Sequence, residues 1–148
     1  MRDGTAVRGH ELLPHTADAR LRAWAPDLAG VFEEAALALA ELSADVGAPA
    51  GTGERIPIEV EAVDLPGLAF AWLNELIGLA DVHGAIAGVR VEAVERTSGD
   101  GWRLRGEARF VPFDGAARPR IDVKSATYHG LTVEEAETGW RLMAIVDL

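Results

Sequence analysis

The chain has 148 residues, enough for a single domain with a buried core. Its 24 acidic and 14 basic residues give a formal net charge of −10, which argues against a long basic groove for RNA or DNA. The absence of cysteine excludes disulfides, thiolate metal ligands and cysteine nucleophiles. We find no secretory signal and no apolar run of about 18 residues, so we expect a cytoplasmic protein without a membrane span.

The basic residues are unevenly divided between the two types. Thirteen are arginine and only Lys124 is lysine. Because lysine presents a compact point charge and arginine a planar fork, a lone lysine marks a position where arginine would not serve. Lys124 is therefore a candidate functional residue, with survival by chance as the alternative.

The first segment of the chain predicts a short leader followed by two strands. Residues 1–10 are expected to be a flexible leader, and residues 11–148 a single domain. A short strand is predicted over residues 11–13. Residues 19–24 alternate apolar and polar side chains with the period of a half-buried strand.

A helix and a further strand follow. Asp27 is a suitable N-cap, and apolar residues between 28 and 42 recur at helical spacing, with the helix ending before Gly47. Residues 48–53 form a Gly/Pro linker. Residues 55–62 alternate again and predict a strand.

The second predicted helix begins after Asp64 and Pro66 and ends near residues 83–84. It contains Asn74, the one asparagine of the chain. Asparagine is not favoured inside helices, so we expect it to make a specific hydrogen bond, structural more often than catalytic.

The remainder of the chain predicts β-structure. The predicted segments are strands over 86–94, 102–111, 121–133 (with a break at 129–130) and 140–148, a turn over 97–101 and a loop over 112–119. Together the elements predict an α+β fold in which two amphipathic helices pack on a mostly antiparallel β-sheet.

Two acidic residues stand at the ends of predicted strands. Asp18 precedes the second strand, and Asp147 follows the last apolar strand, beside the terminal carboxylate of Leu148. Such oxygen donors, brought together, would suit magnesium, calcium or manganese. The alternative for each is an exposed polar residue in a turn or at a frayed end.

The segment 122–130 is a third polar cluster. In an extended strand, Lys124 and Tyr128 would share one face, and Ser125 and His129 the other. An ordinary polar strand face is the alternative to a functional one.

These clusters belong to four sequence motifs in a fixed order. They are HTAD at 15–18, WLNEL at 72–76, VKSATYHGL at 123–131 and the ending Asp-Leu at 147–148. In this combination the chain resembles the archease family, the small protein partners of RtcB-type RNA-splicing ligases. The resemblance covers residues 11–148.

The resemblance implies an activator rather than an independent enzyme. Archeases promote guanylylation of the ligase histidine and multiple turnover in tRNA splicing and RNA repair. The implied partner is therefore an RtcB-type RNA ligase, with RNA contacted only through the ligase.

The resemblance also implies site residues. Residues Asp18, Asp147 and Leu148 match positions that hold a divalent cation (calcium, magnesium or manganese), and Lys124 matches a lysine important for function. His15 and His129 belong to the motifs and are weaker candidates.

The chain departs from the family pattern in two places. The segment 114–120 is shortened and lacks a histidine, which puts any role of that loop in doubt. Ser125 stands where alanine is common.

Two other functions remain open at this point. The same carboxylates would serve an independent metal-dependent phosphoesterase, although no water-activating base is evident. A general chaperone-like modulator of nucleic-acid-modifying proteins is the other alternative.

Overall fold

A computed structural model describes residues 7–14, 17–47, 51–114 and 117–148. The elements in chain order are β1 (Gly9–Pro14), β2 (Asp18–Ala25), α1 (Leu28–Ser43), β3 (Ala44–Val46), β4 (Glu54–Ala62), α2 (Leu65–His83), β5 (Ala85–Arg96), β6 (Trp102–Val111), β7 (Ala117–Pro119), β8 (Ser125–Ala136) and β9 (Gly139–Asp147). Two helices and antiparallel strands confirm the predicted α+β class.

The strands form three sheets. Their orders are β1-β2-β9-β8, β4-β6-β5 and β3-β7, and every strand pairing among the described residues is antiparallel. The single sheet layer expected from the sequence is thus divided. Helix α1 packs mainly on β2 and β5, and α2 mainly on β8, β4 and β6, so both larger sheets contribute to one core.

Both helices begin with the same capping device. The side chain of Asp27 accepts a hydrogen bond from Gly30 N at 2.7 Å, and that of Asp64 accepts one from Gly67 N at 2.8 Å. Each bond satisfies a backbone N–H that the helix leaves unpaired. The predicted N-caps are therefore confirmed, with Pro66 in the first turn of α2.

The end of α2 depends on a glycine. Gly84 has a φ of +111°, and its N–H donates to Ala80 O at 2.9 Å. A Cβ at this position would lie 2.2 Å from Val111 O. Glycine is therefore required both by the backbone conformation and by the close approach of β6.

Helix α2 has the length and composition of a membrane span, with 19 residues and a mean hydropathy of 1.2 over its most apolar window. It is the one such helix in the described part of the chain. Its side chains Leu68, Trp72 and Leu76 are completely buried in the core, as expected of a core helix of a folded domain.

Two short strands were missed. Strand β7 lies within the predicted loop 112–119, and β3 directly follows α1, where no strand was expected. The two pair with each other over three residues each. Segments of this length show too little alternation to be recognised, because their pairing is decided by the fold around them.

Two boundaries also differ. Strand β1 begins at Gly9, inside the segment predicted to be a flexible leader, of which residues 1–6 lie outside the described part. Residues 121–124 are not part of a strand, since β8 begins at Ser125. Lys124 therefore precedes the strand instead of sharing a strand face with Tyr128.

Strand β1 is held to α1 by a cluster of charges. His10 Nδ1 lies 2.7 Å from the carboxylate of Glu34, and its Nε2 contacts Glu41. Arg8 Nε lies 2.5 Å from the other Glu34 oxygen and Arg8 also bonds Glu33 at 3.0 Å. Glu34 is the charged residue buried most deeply among the described ones, and the cluster supplies its partners.

This cluster predicts a pH dependence of stability. Burial disfavours the charged ring, but hydrogen bonds to Glu34 and Glu41 outweigh it and raise the pKa of His10 above its ordinary value of 6.5. The folded state then binds the proton more tightly than the unfolded state, so this stabilisation is present below that ordinary value and is lost as pH rises through the raised pKa. We expect the urea midpoint to fall as the pH rises above the ordinary histidine value of 6.5 and through the raised pKa of His10.

The matched variant is His10→Gln, which cannot titrate. Its urea midpoint should change less over the same pH range than that of the unsubstituted chain. Equal pH profiles for the two proteins would contradict the assignment to His10.

Candidate functional site

Three predicted motifs meet at one end of the four-stranded sheet. Asp18 on β2 is the register partner of Asp147 on β9, and Ser125 on β8 is the partner of Asp147 on the other side. Directly opposed residues of antiparallel strands point to the same face. Asp18, Asp147 and Ser125 therefore form a row across three adjacent strands, which we call the carboxylate row.

The row lies on the face away from the core. The adjoining residues Ala19, Val146 and Ala126 are buried, whereas Asp18 is half-buried and Asp147 exposed. This follows from the two-residue period of a strand, which sends neighbouring side chains to opposite faces.

Backbone hydrogen bonds tie the neighbouring residues to the row. Lys124 N donates to Asp147 O at 2.9 Å, and Leu148 N donates to Ala17 O at 3.1 Å. The Ser125 hydroxyl donates to Asp147 Oδ2 at 3.4 Å, a long contact. The predicted residues Asp18, Asp147, Leu148 and Lys124 are thus brought together, although they are separated by up to 130 positions in the sequence.

Lys124 stands between the carboxylate row and a cleft. Its side chain is exposed, and the cleft has a volume of about 660 Å³. The cleft lies between the C-terminal ends of both helices and residues 119–124, and its apolar lining includes Leu39, Ile77, Ile86, Phe113, Ile121 and Val123. Asp18 and Asp147 do not line the cleft. Lys124 lines it and is also bonded through its backbone N–H to Asp147 of the row.

His129, one of the two weaker histidine candidates, is not brought to the row. His129 is exposed in an irregular part of β8 between Thr127 and Thr132, and its N–H donates to the Thr127 hydroxyl at 2.9 Å. Thr127 pairs with Ile145, two residues from Asp147 along β9, so His129 lies further along the sheet. His15 lies outside the described residues.

Tyr128 has a structural partner. Its ring stacks on Phe70 of α2, with centroids 4.1 Å apart and planes 15° apart. The tyrosine remains 58% exposed, so it presents its outer face to solvent. The stack joins β8 to the first part of α2, whereas Lys124 lines a cleft with residues near the end of that helix.

The donor set determines which cation would fit. The carboxylate row offers two carboxylates and a hydroxyl, all oxygen atoms, which suit magnesium, calcium or manganese and not a structural zinc. Among the residues that the structure describes, no group of three or more His, Cys, Asp or Glu side chains converges. Two carboxylates alone would leave most coordination positions to water or to an incoming ligand.

Neither Ser125 nor Asn74 was placed at the site from the sequence, although both were noticed as unusual residues. Ser125 stood out only as an uncommon residue in its motif, and the structure places it opposite Asp147. Asn74 stood out as an asparagine inside a helix, and the expected specific hydrogen bond is confirmed, since its side chain bonds the backbone of Ala126 on β8. The signal for Asn74 was that it is the one asparagine of the chain and lies inside a helix.

The fold and the carboxylate row define a single α+β domain with an oxygen-rich site at a sheet end. A family model described as "Archease protein family (MTH1598/TM1083)" matches residues 10–148. The chain belongs to the archease family.

Individual relatives agree with this membership. Protein archease of Methanopyrus kandleri is 36% identical over 93% of this chain and 98% of its own length. Protein archease of Pyrococcus furiosus is 34% identical over 96% of this chain and its own full length. The solution structure of Methanobacterium thermoautotrophicum protein 1598 is 30% identical, with a TM-score of 0.77, covering 95% of this chain and 99% of that one.

Proposed function

We propose that this protein activates an RtcB-type RNA ligase, promoting guanylylation of the ligase histidine and repeated turnover in tRNA splicing or RNA repair. The observation that supports it most is the carboxylate row with Lys124 beside it, in a chain of the archease family. In this proposal the protein is a non-catalytic partner that acts in the cytoplasm.

The carboxylates would serve as cation ligands. Asp18 and Asp147 lie opposite each other, so their carboxylate oxygens would be offered to one divalent cation from the same face of the sheet. Leu148 lies beside them, fixed to Ala17. A divalent cation bound there would supply positive charge to neutralise phosphate oxygens.

Lys124 would act as a second positive group. Its backbone is fixed to Asp147, while its side chain is exposed and able to reach a ligand outside the sheet. A compact ammonium suits a phosphate or carboxylate as a point charge. In this proposal the Lys124 side chain contacts the ligase or its nucleotide.

The net charge of the chain favours a protein partner over free RNA. At −10, the chain would be repelled by a polyanionic backbone, which a nucleic-acid binder must neutralise with many basic groups. RNA would then be bound by the ligase alone.

The proposal is tested by ligase guanylylation and multiple-turnover RNA joining, with and without this protein. Lys124→Ala should reduce the stimulation at least about tenfold, since a charge-assisted contact contributes about 1.5–3 kcal/mol. Lys124→Arg tests whether charge alone suffices. Arg55→Ala, at an exposed position of the other large sheet, is the matched control and should stimulate normally.

The outcomes separate the alternatives. Full stimulation by Lys124→Ala would overturn the role of Lys124, and no stimulation by the unsubstituted chain would overturn the function. Phosphoester turnover without any ligase would favour the phosphoesterase, and capture of several unrelated nucleic-acid-modifying proteins would favour the chaperone-like modulator.

A further inference from the structure

Asn74 makes an unusual pair of hydrogen bonds across the boundary between α2 and β8. Ala126 N donates to Asn74 Oδ1 at 2.9 Å, and Asn74 Nδ2 donates to Ala126 O at 3.2 Å. The same Nδ2 donates to Phe70 O at 3.0 Å. The amide thus pairs both backbone groups of one residue on β8, as a neighbouring strand would do.

The first part of β8 has a short regular pairing with β9. Among the described strands, β8 is the outer strand of its sheet, so one of its sides has no strand neighbour. Its pairing with β9 is regular over Ser125–Thr127 and resumes only at Thr132, with Gly130 at a φ of +71° in between. The first part of β8 is therefore held to the sheet by three paired residues, and Ala126 is the middle one.

Ala126, the residue that Asn74 holds by two hydrogen bonds, adjoins the carboxylate row. Ser125 faces Asp147 in the register, and Lys124 N donates to Asp147 O. Because Ala126 follows these two residues directly, fixing its N–H and C=O fixes the position of Lys124 relative to Asp147. A shift of the strand by one residue would turn Ser125 to the core face.

We propose that Asn74 is a positioning residue for the site of Lys124 and Asp147, acting through the backbone of Ala126. This inference rests on the proposed function, because it assigns Asn74 to the same site. Asn74 does not itself belong to the carboxylate row, and it acts from the opposite side of β8. The alternative is that the bonds merely add stability to the packing of α2.

The test variant is Asn74→Leu, which keeps a side chain of similar size and a good helix former in α2 while removing both bonds to Ala126. Leu104→Ala is the matched control. Leu104 is completely buried in the middle of β6, so its truncation lowers global stability in a sheet that does not carry the site.

Two measurements are made at a temperature where both variants are folded by circular dichroism. The first is the exchange ratio at Lys124, defined as the amide hydrogen exchange rate in the variant divided by that in the unsubstituted chain, and the second is stimulation of ligase guanylylation. We expect Asn74→Leu to raise the exchange ratio at Lys124 to at least about ten and to reduce stimulation by a similar factor. Leu104→Ala should leave the exchange ratio at Lys124 and the stimulation within about twofold of the unsubstituted chain.

Three results would decide against parts of this account. An unchanged exchange ratio in Asn74→Leu would show that Asn74 does not fix the backbone at Lys124. Stimulation by Asn74→Leu equal to that by Leu104→Ala would overturn the role of Asn74 in the site. If the unsubstituted chain stimulates no ligase, the proposed function fails, while the exchange ratio still decides whether Asn74 positions Lys124.

Discussion

Asp147→Asn should lower the affinity of the protein for calcium or manganese by at least about tenfold, since loss even of a group supporting a metal ligand costs about 10–100-fold. Asp18→Asn should have a similar effect, because the two residues face each other across β2 and β9. Terbium luminescence or calorimetry measures the affinity. The stimulation of ligase guanylylation should fall with it.

The same substitutions should change how the urea midpoint responds to calcium. Added calcium should raise the urea midpoint of the unsubstituted chain and leave that of either variant almost unchanged, because a cation stabilises only a folded state that binds it. This difference separates a cation site from a role of the two acidic residues that involves no cation.

The control is Asp100→Asn, which removes the same charge from an exposed turn between β5 and β6. It should leave the calcium affinity unchanged. Equal affinities in Asp147→Asn, Asp100→Asn and the unsubstituted chain would contradict the proposed cation site.

Trp72→Ala should destabilise the fold by about 3–5 kcal/mol, the range for truncating a large buried aromatic side chain. Trp72 is completely buried between the layers, and its indole N–H donates to Phe32 O of α1 at 3.0 Å. Among the described residues, the substitution removes the largest completely buried side chain, and with it a hydrogen bond that links the two helices. Urea unfolding followed by far-UV circular dichroism measures the loss without relying on tryptophan fluorescence.

Trp102→Ala is the comparison for this prediction. Trp102 is only half-buried at the start of β6, where the Arg96 guanidinium lies 5.1 Å from the ring centroid. Its truncation should therefore cost clearly less than that of Trp72. Similar losses at the two positions would contradict the central role assigned to Trp72.

Local signals predicted the two helices well. Each contains an aspartate cap followed by apolar residues at helical spacing, and the observed α1 and α2 begin directly after Asp27 and Asp64. Strands β5 and β6 and the turn between them were also predicted, because the turn residues lie between two long alternating segments, and the two strands pair with each other. These elements depend mainly on interactions close in sequence.

The elements that were missed depend on distant partners. Strands β3 and β7 are recognisable only through each other, and residues 121–124 were read as a strand although they precede β8. For the site, sequence motifs identified Asp18, Asp147 and Lys124. Only the register of three strands placed Ser125 opposite Asp147, since register between distant strands is not encoded in either one alone.

The position of β9 has a consequence for folding. It is the central strand between β2 and β8, yet the chain reaches it after every other element. The pairing of Asp18 with Asp147 therefore joins residues from opposite ends of the sequence, and contacts of such long separation slow folding because chain entropy must be lost before they form. During synthesis, neither β2 nor β8 can pair with β9 until residues 139–147 have been made, so the carboxylate row is assembled only after them.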